Sequence, residues 1–203
     1  MSDKLYADRD DDDCNRGSVS TDYVSVYVNE FTESSAKNFF DSFKQAAKDK
    51  QKVVPVFIDS YGGNCDSLMN MLDVMISFPG KVATICVGKA MSCGVVLLGC
   101  GTKGMRYAAP NSRIMMHHVS SVSWGKVPET EAYCKEIKRL QEQIFHILSK
   151  RCGQRKSFYL NLLKNQGNTD VFMTPLDAFK YRIIDHVKYP LVKQEIIKKV
   201  IIE

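Results

Sequence analysis

The chain has 203 residues, of which 44% are apolar and 25% are charged, and its formal net charge is +5. These values are typical of one large globular domain, and they exclude a collagen-like fibre and a mostly disordered chain. The sequence contains no run of about 18 uncharged apolar residues, so we predict no membrane-spanning helix.

The charge is distributed unevenly along the chain. Residues 1–16 contain six Asp against two Arg and one Lys, a net charge of −3, which leaves +8 on the rest. Because the Asp run repels itself, we predict an acidic flexible N-terminal tail at 1–17 and a single domain at 18–203. The basic residues of that domain are spread along it, which favours solvated faces, so we predict no nucleic-acid partner and no membrane partner.

The cysteines indicate a reduced protein. Their number is odd and none has CxxC spacing, so we predict neither a disulfide framework nor a zinc ribbon. They stand at positions 14, 65, 86, 93, 100, 134 and 152. Residues 1–16 lack the basic flank and apolar run of a secretory signal, so we expect a cytoplasmic protein. No three or four metal-ligating residues are clustered, and we expect no metal and no cofactor.

Strands alternate with helices in the hydrophobic pattern. Strands are predicted at 23–28, 53–58, 82–87, 106–108, 113–116 and 183–187. Helices are predicted after a cap at Thr32 (with Ser34 and Ser35 as alternative caps), from an Asp66 cap, at 95–100, at about 128–153, at 157–163 and after Thr174, with Phe39, Phe40, Phe43 and Ala47 on the first. This order predicts an α/β fold with a largely parallel sheet, from which the long helix at 128–153 projects as an arm.

A turn between a strand and a helix carries the first candidate for chemistry. The segment Gly88–Gly94 contains Ala90-Met91-Ser92-Cys93-Gly94, in which small residues would let the backbone turn sharply and expose the Ser92 hydroxyl, as in a nucleophile elbow. The alternative is a helix-capping serine without catalytic function, and the pentapeptide alone favours it.

Three further positions could complete an acyl-transfer site. Ser60-Tyr61-Gly62-Gly63 could point backbone N–H groups at an oxyanion, or it could be an ordinary turn. His117, followed by His118, ends a predicted strand and could act as a general base, or the two could be a partly exposed pair. Asp170 could orient a histidine, although a loop Asp is the commoner interpretation, and Asp59 is a competing carboxylate.

In sequence order these positions resemble the ClpP family, the proteolytic subunit of the ATP-dependent Clp serine protease. The resemblance is most specific over 83–117, which reads ATICVGKAMSCGVVLL before the break and GTKGMRYAAPNSRIMMH after it. It extends to the Asp59–Gly63 turn, to the Asp170–Ala178 segment and to 129–154, which is similar to the family's long handle helix.

The resemblance implies a crotonase-like spiral of βαβ units with a projecting handle helix. It implies that Ser92 is the nucleophile, His117 the general base and Asp170 the residue that orients His117. It further implies that Gly62, Gly63 and Cys93 form the oxyanion hole through backbone N–H groups, so the Cys93 side chain should be replaceable. Members of the ClpP family form heptameric rings, two of which stack into a hollow tetradecamer. An AAA+ unfoldase feeds polypeptide into this chamber, so the resemblance also implies such partners.

Some positions differ from the family's usual pattern. Tyr61 replaces a Pro, His118-Val119 replaces Gln-Pro, and Asn168-Thr169 replaces an Asp-Arg pair; the acidic head also differs from the family's apolar gate loops. These differences leave open a catalytically weak structural or regulatory ring subunit. A crotonase-type acyl-CoA enzyme is a further alternative, because that fold also uses oxyanion donors from glycine turns.

Overall fold

Strands and helices alternate along residues 23–192, which are the residues that this computed structural model describes. The strands are β1 (Val26–Val28), β2 (Val53–Ser60), β3 (Lys81–Met91), β4 (Arg106–Ala108), β5 (Arg113–Met116), β6 (Val171–Met173) and β7 (His186–Val187). The helices are α1 (Glu33–Lys48), α2 (Cys65–Ser77), α3 (Cys93–Gly99), α4 (Val127–Arg151), α5 (Phe158–Asn165) and α6 (Pro175–Lys180). The predicted acidic tail at 1–17 lies outside the described residues.

The strands form one sheet in the order β1-β2-β3-β4-β7, with every neighbouring pair parallel. The end of β3 also pairs in parallel with β5, and β6 adds to β5 in the antiparallel direction. Parallel neighbours need crossover connections, which α1 and α2 supply between the first three strands. The predicted α/β class with a largely parallel sheet is therefore confirmed.

Helices cover the central strands, and this explains the apolar sequence of β2. Val54, Val56 and Ile58 are fully buried, as expected for a parallel strand that is covered on both faces. Phe39 and Phe43 of α1 stack on one another in the same core. No helix within 23–192 is long and apolar enough to cross a lipid bilayer.

The predicted starts and faces of two helices differ from those observed. The cap of α2 is Asn64, whose Oδ1 accepts from the N–H groups of Asp66 at 2.7 Å and Ser67 at 3.0 Å; Asp66 is the second residue of the helix. On α1, Thr32 caps the helix as predicted, but Ala46 is buried rather than Ala47, and Phe40 is half exposed. A one-residue error in helical phase turns a side chain by about 100°, which explains the change of face.

The largest correction concerns β3. The predicted strand ended at Val87 and a turn followed from Gly88 to Gly94, but the strand continues to Met91. Its pairing with β2 shifts between Cys86 and Ala90, and Gly88 takes φ +80° there. A glycine in a strand often marks such a bulge, so this glycine signals an irregularity within the strand and not its end.

Shorter corrections apply at both ends of the sheet. The first strand begins at Val26 rather than Tyr23, and the last is reduced from 183–187 to His186–Val187. Ile183 and Ile184 are buried in the core although they lie outside a strand. An apolar run therefore indicates burial more reliably than it indicates backbone geometry.

Candidate active site

Ser92 occupies the single residue between β3 and α3. Its backbone has φ 54° and ψ −118°, a conformation that non-glycine residues rarely adopt. Such a conformation costs about 1–3 kcal/mol and persists only where the surroundings enforce it. Here the Ser92 N–H donates to the Met115 carbonyl at 3.0 Å, and the flanking residues Met91 and Cys93 are buried. The geometry is that of a strained strand-to-helix turn that exposes a hydroxyl.

His117 follows β5 and meets Ser92 directly. Strands β3 and β5 run parallel with Met91 opposite Met115, so the residues just beyond them project from the same edge of the sheet. The His117 Nε2 lies 2.9 Å from the Ser92 Oγ. This distance suits transfer of the hydroxyl proton to the imidazole.

Asp170 stands beside His117 in the backbone register. Strand β6 runs antiparallel to β5 with Val171 opposite Met116, so one further step along each chain brings Asp170 opposite His117. The Asp170 side chain is exposed, and among residues 23–192 no hydrogen bond joins it to His117. Residues directly opposite in an antiparallel pair have Cβ atoms about 5 Å apart. Asp170 is therefore the residue that the register of β6 places next to His117.

The competing carboxylate, Asp59, is held elsewhere. Its Oδ1 accepts from the Lys89 Nζ at 2.7 Å, and this hydrogen bond raises the pKa of Lys89. The same ammonium lies 4.4 Å from the ring centroid of Tyr61, in a cation–π contact. Lys89 thus fixes both Asp59 and the residue that stands where the resembled family has proline.

The glycine turn packs against the nucleophile. A Cβ on Gly62 would lie 2.6 Å from the Ser92 Cβ, and one on Gly63 would lie 2.6 Å from the Phe31 carbonyl oxygen. Both glycines have positive φ, 109° and 150°. Glycine is therefore required at both positions, at 62 by the approach to Ser92 and at 63 by the approach to Phe31.

The N–H groups of the turn differ in their partners. The Gly62 N–H donates to the Ser60 Oγ at 3.0 Å. Within the described residues, no acceptor is found for the N–H of Gly63 or for that of Cys93, the first residue of α3. The Cys93 thiol donates to the Gly63 carbonyl at 3.3 Å, so this side chain ties the two segments together. Replacing the Cys93 side chain would remove this contact, so the activity of such a variant tests the prediction that the side chain is replaceable.

A cavity opens beside Ser92 and His117. Its wall combines the ends of the site segments with apolar residues from three helices. These residues include Cys65, Leu68, Val96, Ile144 and Phe145. Sequence reasoning did not assign Cys65 to the site; its position directly after the Gly62-Gly63-Asn64 turn was the available signal.

His118 connects the site to α4. Its Nδ1 lies 3.1 Å from the Gln141 Oε1, and its Nε2 lies 3.1 Å from the Asn168 Oδ1. Two of the positions that differ from the family's usual pattern, 118 and 168, are therefore in contact with one another. His146 is exposed on α4. Within 23–192 no three His, Cys, Asp or Glu side chains are arranged to hold a metal ion.

A comparison with known protein families gives a match over most of the chain. Residues 18–190 match the protein-family model described as Clp protease. The matched range includes every strand of the sheet, the long helix α4 and all the candidate site residues.

Proposed function

The chain belongs to the Clp protease family, and on that premise we propose that it is a serine endopeptidase with Ser92 as the nucleophile. His117 is the general base in this proposal, and Asp170 orients it. The observation that carries the proposal is the 2.9 Å distance between the Ser92 Oγ and the His117 Nε2. Nucleophile and base are thus within hydrogen-bond reach on a strained turn.

The proposed reaction is peptide hydrolysis through an acyl-enzyme. His117 takes the proton of Ser92 as the Ser92 Oγ attacks the carbonyl carbon, and it then protonates the leaving amine. Water attacks the resulting ester with His117 again as base, which releases the second product and restores Ser92. Asp170 holds the imidazole in the required tautomer and stabilises the imidazolium.

Backbone donors stabilise the tetrahedral oxyanion in this mechanism. The N–H groups of Gly63 and Cys93 supply them, because neither has an acceptor within the described residues. Gly62 acts differently from the sequence-based assignment: its N–H is committed to Ser60, and its missing side chain makes room for Ser92. One oxyanion donor contributes about 3–4 kcal/mol to transition-state stabilisation.

Asp170 is preferred over Asp59 as the orienting carboxylate. Its register position opposite His117 supports the role, whereas the Asp59 carboxylate is paired with Lys89. Because Asp170 is not hydrogen-bonded to His117 here, the proposal requires its side chain to rotate toward the ring in the working enzyme.

The working unit is proposed to be a ring of seven subunits that stacks into a tetradecamer with an AAA+ unfoldase partner, since the family generally forms rings and works with Clp ATPases. Exposed apolar side chains near the start of α4 support an assembly: Trp124 is 93% exposed, Val122 77% and Val127 72%. Clustered exposed apolar residues mark interaction surfaces. Unfolded polypeptide is the proposed substrate, and the cytoplasmic location stays a prediction.

A fluorophosphonate probe tests the nucleophile. We expect labelling of the full chain at Ser92, with loss in Ser92→Ala and His117→Ala and retention in Ser77→Ala, an exposed serine at the end of α2. Labelling that survives Ser92→Ala would refute the assignment. Native mass spectrometry of the same samples tests the ring.

The exposed Asp170 favours a second candidate, a catalytically weak ring subunit that assembles with active paralogues. Peptidase activity of the purified, assembled chain decides between the two. Ring formation without peptide hydrolysis would favour the second candidate.

A further inference from the structure

Two cysteines line the cavity that holds Ser92. Cys65 is the first residue of α2, Cys93 is the first residue of α3, and both line this cavity together with Ser92 and His117. The Cys93 Sγ lies 3.3 Å from the Gly63 carbonyl oxygen and 3.9 Å from that of Asn64, the residue bonded to Cys65. The Cys93 sulfur therefore lies against the backbone that leads into Cys65, and the two cysteines share one cavity wall.

The two sulfurs differ in reactivity. Interaction with the Cys93 side chain lowers the pKa of Cys65 to about 7, against the opposing effects of burial and of Asp66. Cys65 is partly exposed, so a large fraction of an accessible thiolate is present near neutral pH. Cys93 is buried, and the neighbouring Cys65 side chain together with burial raises its pKa. Cys65 is thus suited to attack an oxidant, and Cys93 is placed to react with the product.

Other described cysteines lack this combination. Cys86, Cys100 and Cys152 are buried, and burial raises the pKa of each thiol, to about 11 for Cys86 and about 12 for Cys100. Cys134 is exposed on α4, outside the cavity. It therefore serves as an internal control for accessibility alone.

We propose that Cys65 and Cys93 are an oxidation site, at which a hydroperoxide forms a disulfide that closes the active site. The Cys65 thiolate attacks one peroxide oxygen, and the O–O bond breaks. Hydroxide (or alkoxide) departs, and Cys65 becomes a sulfenic acid. The Cys93 sulfur then attacks the sulfenic sulfur, its proton and the hydroxyl leave as water, and the S–S bond forms. In total two thiols are oxidised and one peroxide is reduced.

Disulfide formation changes the site that performs the proposed reaction. Cys93 can no longer donate to the Gly63 carbonyl, the contact that ties α3 to the glycine turn. The N–H groups of Gly63 and Cys93 are the two proposed oxyanion donors, and they lie on the segments that the new bond would pull together. The effect on activity rests on the proposed peptidase function, whereas formation of the disulfide does not.

The experiment treats the full chain with hydrogen peroxide, blocks the remaining thiols and maps the cysteines by mass spectrometry without reduction. We expect a Cys65–Cys93 disulfide, with Cys134 recovered as a blocked thiol. Peptidase activity and fluorophosphonate labelling should fall by about 100-fold, the size expected when an oxyanion donor is displaced, and dithiothreitol should restore both.

Variants separate this pair from general oxidation. In Cys65→Ser and in Cys93→Ala, the ratio of oxidised to reduced activity should approach 1, while Cys134→Ser should behave as the unmodified chain. Peroxide inactivation that persists in Cys65→Ser, or a pair that stays reduced while Cys134 is oxidised, would overturn the proposal. A reduced chain without peptidase activity would refute the proposed function but not the disulfide, which thiol mapping detects independently of activity.

Discussion

The three proposed catalytic residues are held by two very different parts of the molecule. Ser92 and His117 stand at the ends of β3 and β5, which pair directly and are embedded in the core. Asp170 stands between β6, a strand of three residues, and the loop 166–170, where every residue is exposed. The first two are already 2.9 Å apart, whereas the third is joined to His117 only by its register.

This difference indicates how the site divides its tasks. Packing on both sides of a strand end fixes a side chain tightly, and the strain at Ser92 requires such support. An exposed loop leaves several rotamers open at similar free energy. We infer that the nucleophile and base are preformed, while the orienting carboxylate depends on how the loop is held.

The largest expected effect tests whether Asp170, the residue held by the exposed loop, contributes to kcat. Asp170→Asn should lower kcat by about 10⁴-fold, because the amide favours the wrong tautomer of His117. Asp59→Asn, at the carboxylate paired with Lys89, should change kcat little. Peptide hydrolysis rates of both variants provide the measurement. An unchanged kcat in Asp170→Asn would mean that Ser92 and His117 need no orienting carboxylate at position 170.

The next effect tests the buried ion pair of Arg106 and Asp185, which contacts the end of α3 in the core. Arg106 is 3% exposed; its Nη2 donates to the Asp185 Oδ1 at 2.6 Å, and its Nη1 donates to the Gly99 carbonyl at the end of α3, at 3.2 Å. Asp185→Asn leaves this guanidinium buried without its partner, which should lower the free energy of unfolding at pH 7 by about 3–5 kcal/mol. Asp41→Asn, in an exposed pair with Lys37, should cost at most about 1 kcal/mol.

The same pair makes a prediction about pH. Burial opposes ionisation of Asp185, but the hydrogen bonds and charge of Arg106 outweigh it and hold the pKa of that carboxyl below its usual value. Its stabilisation is therefore complete above about pH 4, the pKa of an unfolded Asp, and is lost as the pH falls through the lower folded value. Urea unfolding should show a constant difference in the free energy of unfolding between wild type and Asp185→Asn from about pH 5 to about pH 8, and a difference that narrows below about pH 4. A gap that widens in acid would contradict the assigned direction.

A third change moves the nucleophile itself. Gly62→Ala should lower kcat by about 100-fold, because its Cβ would stand 2.6 Å from the Ser92 Cβ and a displacement of about 1 Å has that effect. Gly153→Ala is the matched control, since Gly153 also has positive φ (64°) but open space around it. Equal losses of activity in the two variants would point to backbone strain instead of contact with Ser92.

The smallest effect concerns the link that holds the loop. Asn168 has φ 59°, so Asn168→Gly keeps the backbone conformation and removes the hydrogen bond with His118. A hydrogen bond contributes about 1 kcal/mol, so kcat should fall up to about tenfold while the free energy of unfolding changes little. A kcat equal to that of wild type would show that His118 does not position Asp170.

Much of this arrangement could be predicted from the sequence because local signals were strong. Thr32 was predicted to cap α1, and its side chain accepts from the Ser35 N–H. The apolar run of β2 and the α/β alternation followed from periodicity. The errors at Gly88 and Asp66 arose where two local signals compete: a glycine marks a turn or a bulge, and an Asn can cap a helix as well as an Asp can.

The sequence by itself determined the order of the elements and the family to which the chain belongs, because periodicity and motifs are written along the chain. The resemblance already paired Ser92 with His117, but only the tertiary structure showed their 2.9 Å approach, the contact of His118 with Asn168, and the cavity that Cys65 and Cys93 share. Ser92 and His117 are 25 residues apart in the sequence, and His118 and Asn168 are 50 residues apart. Such contacts depend on strand register and on which helix ends share a cavity, and no local pattern encodes either.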